Sequence, residues 1–177
     1  MVRLWMILLL SAALVTGCGK REDASSPGEL PAPAHGIAIG ASAPDWTLQD
    51  LGGNAVQLSE FRGKKGVVVV FFATWCAICM EEVPDLIAFQ KQFENEPVAL
   101  LGIGVDQPAA VLQRFADNRK VNYRILPDPG GAVAAQYHVV GVPTIYGIDA
   151  QGVVRYSAHG LPADKQALVR QLVPAAE

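Results

Sequence analysis

Two continuous apolar runs, Val67–Phe72 and Val98–Val105, stand out from the alternating pattern of the rest of the chain. Each is too short for a core helix and rich in β-branched residues, so each reads as a strand buried on both faces. Between them the period changes. From Cys79 to about Glu94 the apolar residues Val83, Leu86, Phe89 and Phe93 recur at helical spacing, with Glu81, Asp85, Lys91 and Gln92 mostly off that face. Pro84 lies inside this segment and removes one i→i−4 hydrogen bond, which predicts a kink.

Shorter signals flank this centre. Ala43–Leu48 and Ala55–Leu58 read as two strands joined by a turn at Asp50–Asn54, and Ser59 as the N-cap of a single turn ended by Gly63. Pro108 opens a helix over Ala109–Asn118, with Val111, Leu112 and Phe115 inward. A strand at Tyr123–Leu126, the turn Asp128–Gly131 and a small helix at Ala132–Tyr137 follow. Thr144–Ile148 and Val153–Ala158 flank a four-residue turn as a hairpin, and Pro162–Val173 reads as the last helix. Alternating helices and strands that end in a hairpin predict an α/β sandwich around a mixed sheet. No internal repeat is present.

The N-terminal pattern is different. Arg3 followed by the apolar stretch Leu4–Leu14 and the sequence Val15-Thr16-Gly17-Cys18 reads as an export signal over residues 1–17. The stretch is short for a permanent membrane span. Val-Thr-Gly-Cys resembles the lipobox of bacterial lipoproteins, in which cleavage leaves Cys18 as a lipid-bearing N-terminus; the competing reading is an ordinary secretory peptide with an incidental cysteine. Residues 18–39, dominated by Pro, Ala, Ser, Gly and charges, read as a flexible tether. Residues 40–177 are then the folded domain, held on an extracytoplasmic (periplasmic) membrane face by acyl chains on Cys18.

Composition limits the rest. With 177 residues, half of them apolar, the chain has room for one core. A net charge of −3 without basic runs argues against nucleic-acid binding. Of three cysteines, Cys18 is accounted for by the lipobox. Cys76 and Cys79 stand two residues apart where the first apolar run passes into the helix. At a helix N-terminus the orphan N–H groups and the macrodipole favour a thiolate, and a second thiol one turn along can resolve a mixed disulfide. Export places the pair where disulfides persist. A zinc site is the competing reading, but the chain offers only the scattered His35, His138 and His159 as further ligands. No metal and no cofactor is expected. Gly141-Val142-Pro143-Thr144 puts a proline just before a strand. A cis bond there would turn the Val142 backbone outward to pair with an extended substrate segment, whereas a trans bond would only mark a strand start.

Trp75-Cys76-Ala77-Ile78-Cys79 with Glu82 and Pro84 resembles the W-C-x-x-C-x-x-E-x-P signature of the TlpA/ResA-type thioredoxin-like proteins. Leu126-Pro127-Asp128, Tyr137, Gly141–Thr144, Ile148-Asp149 and Gly152 fit that family in order, over essentially residues 40–173. The resemblance implies a thioredoxin-like fold, with an N-terminal β-hairpin and a central insertion of about one strand–helix unit between Cys79 and Pro143. It implies thiol–disulfide exchange on exported, disulfide-bearing proteins, usually as a reductant, with electrons from a membrane donor. Cys76 would be the nucleophile, Cys79 the resolving thiol, and Trp75, Val142, Pro143 and Thr144 the substrate-binding surface.

Two departures bear on tuning. Where thioredoxins carry a buried acid, and this family often Asn, the chain has Val70. Glu82 is left as the candidate proton acceptor for Cys79, against a reading as a surface glutamate. Ile78 stands where Pro is usual, and neither Ala77 nor Ile78 offers a charge to the Cys76 thiolate. Three alternatives stand beside the general reductase. One is a dedicated cytochrome c maturation reductase, whose relatives usually carry Glu where Thr144 stands. A peroxiredoxin-type peroxidase is the second; it wants Thr and Pro where the chain has Ala73 and Val69. The third is a non-catalytic tethered binding module with a structural disulfide.

Overall fold

A computed structural model describes residues 36–173. The elements in chain order are β1 (Thr47–Gln49), β2 (Ala55–Gln57), a 3-10 turn (Leu58–Phe61), β3 (Gly66–Phe72), α1 (Ala77–Gln92), β4 (Val98–Val105), α2 (Ala109–Arg119), β5 (Arg124–Asp128), α3 (Ala132–Gln136), β6 (Thr144–Ile148), β7 (Val154–Ala158) and α4 (Lys165–Leu172). The central sheet has the order β5-β4-β3-β6-β7, and β1 and β2 form a separate antiparallel pair. Strand β3 pairs parallel with β4 and antiparallel with β6, so the sheet is mixed as expected. The strand–helix unit β5–α3 intervenes between α2 and β6, where the long Cys79–Pro143 spacing put an insertion.

Every residue of β3 is buried, and the period of two divides its side chains between two cores. Val68, Val70 and Phe72 pack with Cys79, Val83, Leu86 and Phe89 of α1, Leu112 and Phe115 of α2, and Leu168 and Leu172 of α4. Val67, Val69 and Phe71 pack on the other side with Trp46, Val56 and Leu58 near the hairpin and with Val133, Tyr137 and Tyr146. Each such side chain contributes roughly 1.5–3 kcal/mol by leaving water. Gly104 lets α2 lie close to the sheet, because a Cβ there would sit 2.5 Å from Leu112 side-chain carbons.

Several boundaries differ from the sequence pattern, each for a local reason. The single turn begins at Leu58 rather than after Ser59: Ser59 N–H donates to Asp45 Oδ1 at 2.9 Å, so an acid fourteen residues upstream holds the turn. Helix α4 starts at Lys165, because the Asp164 carboxylate accepts from Ala167 N–H at 2.8 Å and caps it there. Strand β5 runs two residues further than expected, to Asp128 paired with Val105. Helix α1 continues across Pro84 and ends at Gln92. The fold also reaches further back than Gly40: Ile37 N–H donates to Tyr146 Oη at 3.1 Å, and its side chain packs on the second core. Residues 1–17, Cys18 and the tether up to His35 lie outside the described residues. Among the described residues no helix is long and apolar enough to cross a membrane.

Candidate active site

Strand β3 ends at Phe72, and the chain turns through Ala73–Cys76, closed by Cys76 N–H donating to Ala73 O at 3.1 Å. Cys76 is the N-cap of α1, its backbone extended at φ −85° and ψ 111°. Cys79 N–H points at Cys76 Sγ at 3.2 Å, the place where an anionic sulfur gains most from the helix terminus. Cys76 and Cys79 are joined as a disulfide with Cα atoms 5.2 Å apart. Their environments differ: Cys76 is half-buried, whereas Cys79 is 2% exposed.

The Val142–Pro143 peptide bond is cis. The loop that carries it faces the cysteines, with Val142 O 3.5 Å from Cys76 Sγ. Thr144 is buried, and its hydroxyl donates to Gly141 O at 2.7 Å, so it shapes the loop from within. Trp75 and Ile78 beside the cysteines and Val140 on the proline loop are 76%, 62% and 71% exposed.

Glu82 lies one turn of α1 beyond Cys79. Its Oε2 is buried without a hydrogen-bond partner, while Oε1 faces Gly160, where a Cβ would come within 2.5 Å of it. Burial pushes the Glu82 carboxyl above the usual glutamate range; Asp85 adds to this and Lys165 opposes it. Tyr156, which donates from Oη to Gly160 O at 2.5 Å, is raised by its own burial and secondarily by Glu82. Val70 belongs to the same buried cluster as Cys79, so the surroundings of that thiol on the sheet side are apolar. Among the described residues no three His, Cys, Asp or Glu side chains converge as a metal site requires.

Two neighbours of this site escaped the sequence pattern. His159 is exposed at the end of β7, as a strand-end surface residue should be, but its ring is engaged, with Nδ1 2.8 Å from Pro143 O. The register that pairs Ile145 with Ala158 brings it there, and no local signal announces it. Gln107, in the loop between β4 and α2, is buried and bonded twice to Thr74.

Comparison with known proteins agrees with this geometry. Residues 39–157 match the AhpC/TSA family. The chain is 34% identical over 119 residues to the thiol-disulfide oxidoreductase ResA of Geobacillus kaustophilus, spanning 67% of this chain and 68% of that protein. It is similar to the solution structure of a Bacteroides thetaiotaomicron protein described as a protein disulfide isomerase. There the TM-score is 0.69 and the identity 32%, covering 76% of this chain and 87% of that one. The crystal structure of peroxidoxin BcpB from Mycobacterium tuberculosis shares the fold at a TM-score of 0.66 and 25% identity, covering 76% and 97%.

Proposed function

We propose, for a chain that belongs to the AhpC/TSA family and is a thioredoxin-fold thiol–disulfide oxidoreductase, that it reduces disulfides in exported proteins with Cys76 as the nucleophile. The observation that carries this is the asymmetry of the pair. The half-buried sulfur sits at the helix N-terminus against the Val142 carbonyl, and the other is buried behind it.

In the dithiol form the Cys76 thiolate attacks one sulfur of a client disulfide. The client S–S bond breaks, a client thiolate leaves, and a mixed disulfide forms on Cys76. Cys79, giving its proton to Glu82, then attacks the Cys76 sulfur. The Cys76–Cys79 disulfide forms, the second client thiolate leaves, and the client has gained two electrons. Glu82 suits this step because a carboxylate with a raised pKa is a better match to a thiol proton than an ordinary one. The backbone of Val142, beside Pro143, pairs with the extended client segment, and Trp75 covers it. Thr144 holds the loop in shape. A thiol donor in the membrane returns the pair to the dithiol form.

The lipobox at Val15–Cys18 supports export and anchoring: acyl chains on Cys18 hold the domain at the periplasmic face of a membrane, on the tether that follows. Thr144, in place of the Glu of dedicated cytochrome c maturation relatives, favours a general reductase. The peroxidase reading finds no activating hydroxyl three residues before Cys76, because Ala73 stands there, fully buried.

The test is trapping. Cys79→Ser should accumulate mixed disulfides between Cys76 and exported proteins, and Cys76→Ser should accumulate none and lose insulin-disulfide reduction by more than about 10³-fold. Retained reduction by Cys76→Ser overturns the assignment. Rapid Cys76-dependent consumption of hydrogen peroxide, with no trapped clients, would establish the peroxidase instead.

A further inference from the structure

The loop that presents Cys76 is tied at Thr74 to the β4–α2 loop by one side chain. β3 ends at Phe72, so Thr74 N–H has no strand partner. Gln107 Oε1 accepts it at 2.8 Å, and Gln107 Nε2 donates to Thr74 Oγ1 at 2.7 Å. Gln107 is 6% exposed, and both ends of its amide are spent on this single residue. Two bonds to one neighbour define its position far better than one would.

Gln107 is itself held from the far side. Asp106 adopts a left-handed conformation at φ 50°, a region that aspartate tolerates better than most non-glycine residues. Its N–H donates to Asp128 O at 3.0 Å, and its Oδ1 accepts from Gly130 N–H at 3.3 Å. Pro108, at φ −65°, then starts α2. A continuous chain of contacts therefore runs from the turn at the end of β5, through Asp106 and Gln107, to Thr74, and ends two residues before Cys76.

We propose that Gln107 is a positioning residue for the Cys76 nucleophile, and that through it the β5–α3 unit fixes the sulfur relative to the Cys79 N–H and the Val142 carbonyl. The proposal rests on the reading of Cys76 as nucleophile. Exchange requires in-line approach of three sulfurs, and placement errors of about 1 Å cost such reactions roughly 10²-fold. Cutting the clamp removes both side-chain bonds to Thr74 and leaves the turn held by the Cys76 N–H bond to Ala73 O and by the contacts of Cys76 with α1 and Val142.

The experiment compares Gln107→Ala and Thr74→Val with the parent in the full chain reduced by dithiothreitol. Three quantities are read: the rate of insulin-disulfide reduction, the melting temperature, and the pH profile of iodoacetamide alkylation of the Cys76 peptide, followed by mass spectrometry. Gln107→Ala should lower the reduction rate about tenfold and move the alkylation midpoint to higher pH, as the sulfur drifts from the helix terminus. Thr74→Val, which keeps the backbone bond and loses the hydroxyl, should fall between. A Gln107→Ala protein with the parental alkylation midpoint overturns the proposal, whether its melting temperature falls or not, because a merely structural clamp would move stability alone. If Gln107→Ala does not fold, a parental profile in Thr74→Val has the same force. Cys76→Ser separates the two readings: retained insulin reduction there defeats the nucleophile assignment. A dead Cys76→Ser beside an unaltered Gln107→Ala defeats the positioning role alone.

Discussion

Asp149 and Glu82 are acids drawn into the protein at different places, and they are treated in opposite ways. Asp149 follows β6 at the end of the sheet far from Cys76, since β6 starts beside Phe71 and finishes beside Val67. It is 5% exposed and fully partnered. Oδ1 accepts from Gln151 N–H and Val153 N–H, both at 2.9 Å, and Oδ2 takes Arg155 Nε at 2.6 Å. Glu82, on the first turns of α1 near the cysteines, has one oxygen buried with no partner at all. A buried acid with both oxygens engaged holds a turn in shape. A buried acid left short of partners costs stability and is held ready to exchange a proton. The same side-chain chemistry is thus fully hydrogen-bonded at one end of the sheet and left short of partners at the other.

Substitution should separate the two. Asp149→Ala removes the acceptor of two turn N–H groups and of the half-exposed Arg155 guanidinium, and should cost about 1–3 kcal/mol in urea denaturation. The folded fraction should keep its parental rate of disulfide reduction, because the Cys76 end of β6 is untouched. A comparable stability loss in a Glu82 variant would break the contrast.

Glu82→Gln should do the reverse, lowering the rate of disulfide reduction roughly 10²-fold if the carboxylate takes the Cys79 proton. Its effect on stability has a definite direction. Burial raises the folded-state pKa above the 4.5 of a free glutamate, so the unfolded chain releases this proton first as pH rises. The preference for the neutral form stabilises the parent fully below pH 4.5 and is lost as pH climbs through the folded-state value. Relative to Glu82→Gln, the parent should therefore weaken between pH 4 and neutrality, as read from urea midpoints across that range. A difference that stays flat with pH would mean the carboxyl is not held in an apolar site.

How much of this could be read from the sequence follows from the range of each interaction. Val67–Phe72 is legible because a short run of β-branched and aromatic residues bounded by Gly66 reads as a strand buried on both faces, whereas its division between two cores needs the fold. Cys76, Cys79 and the proline loop are legible because their chemistry is carried by residues close together in the chain. The Gln107 clamp joins residues 33 apart through one glutamine in a loop, where no periodicity marks it. His159 reaches Pro143 only through the β6–β7 register, and the true start of α4 depends on which of several polar residues supplies the cap. Glu82 was visible as a candidate, but its missing partner was not. That absence depends on Gly160 and Tyr156, which the fold delivers from the other end of the domain.

Gly160 therefore offers the finest probe of the contrast. A Cβ there would lie 2.5 Å from Glu82 Oε1, at the tip of a side chain that can swing aside. Gly160 is not among the positive-φ glycines, so alanine meets no backbone penalty, and the change in stability should stay within about 1 kcal/mol. The displaced carboxyl would turn toward water, and its pKa would relax toward the ordinary value. Gly160→Ala should then lose the pH-dependent weakening of the parent, as Glu82→Gln does, while keeping more of the reduction rate because a carboxylate is still within reach of the cysteines. If Gly160→Ala instead keeps the parental pH dependence, the desolvation of Glu82 comes from the α1 face itself. The small residue at 160 would then have no part in setting the contrast with Asp149.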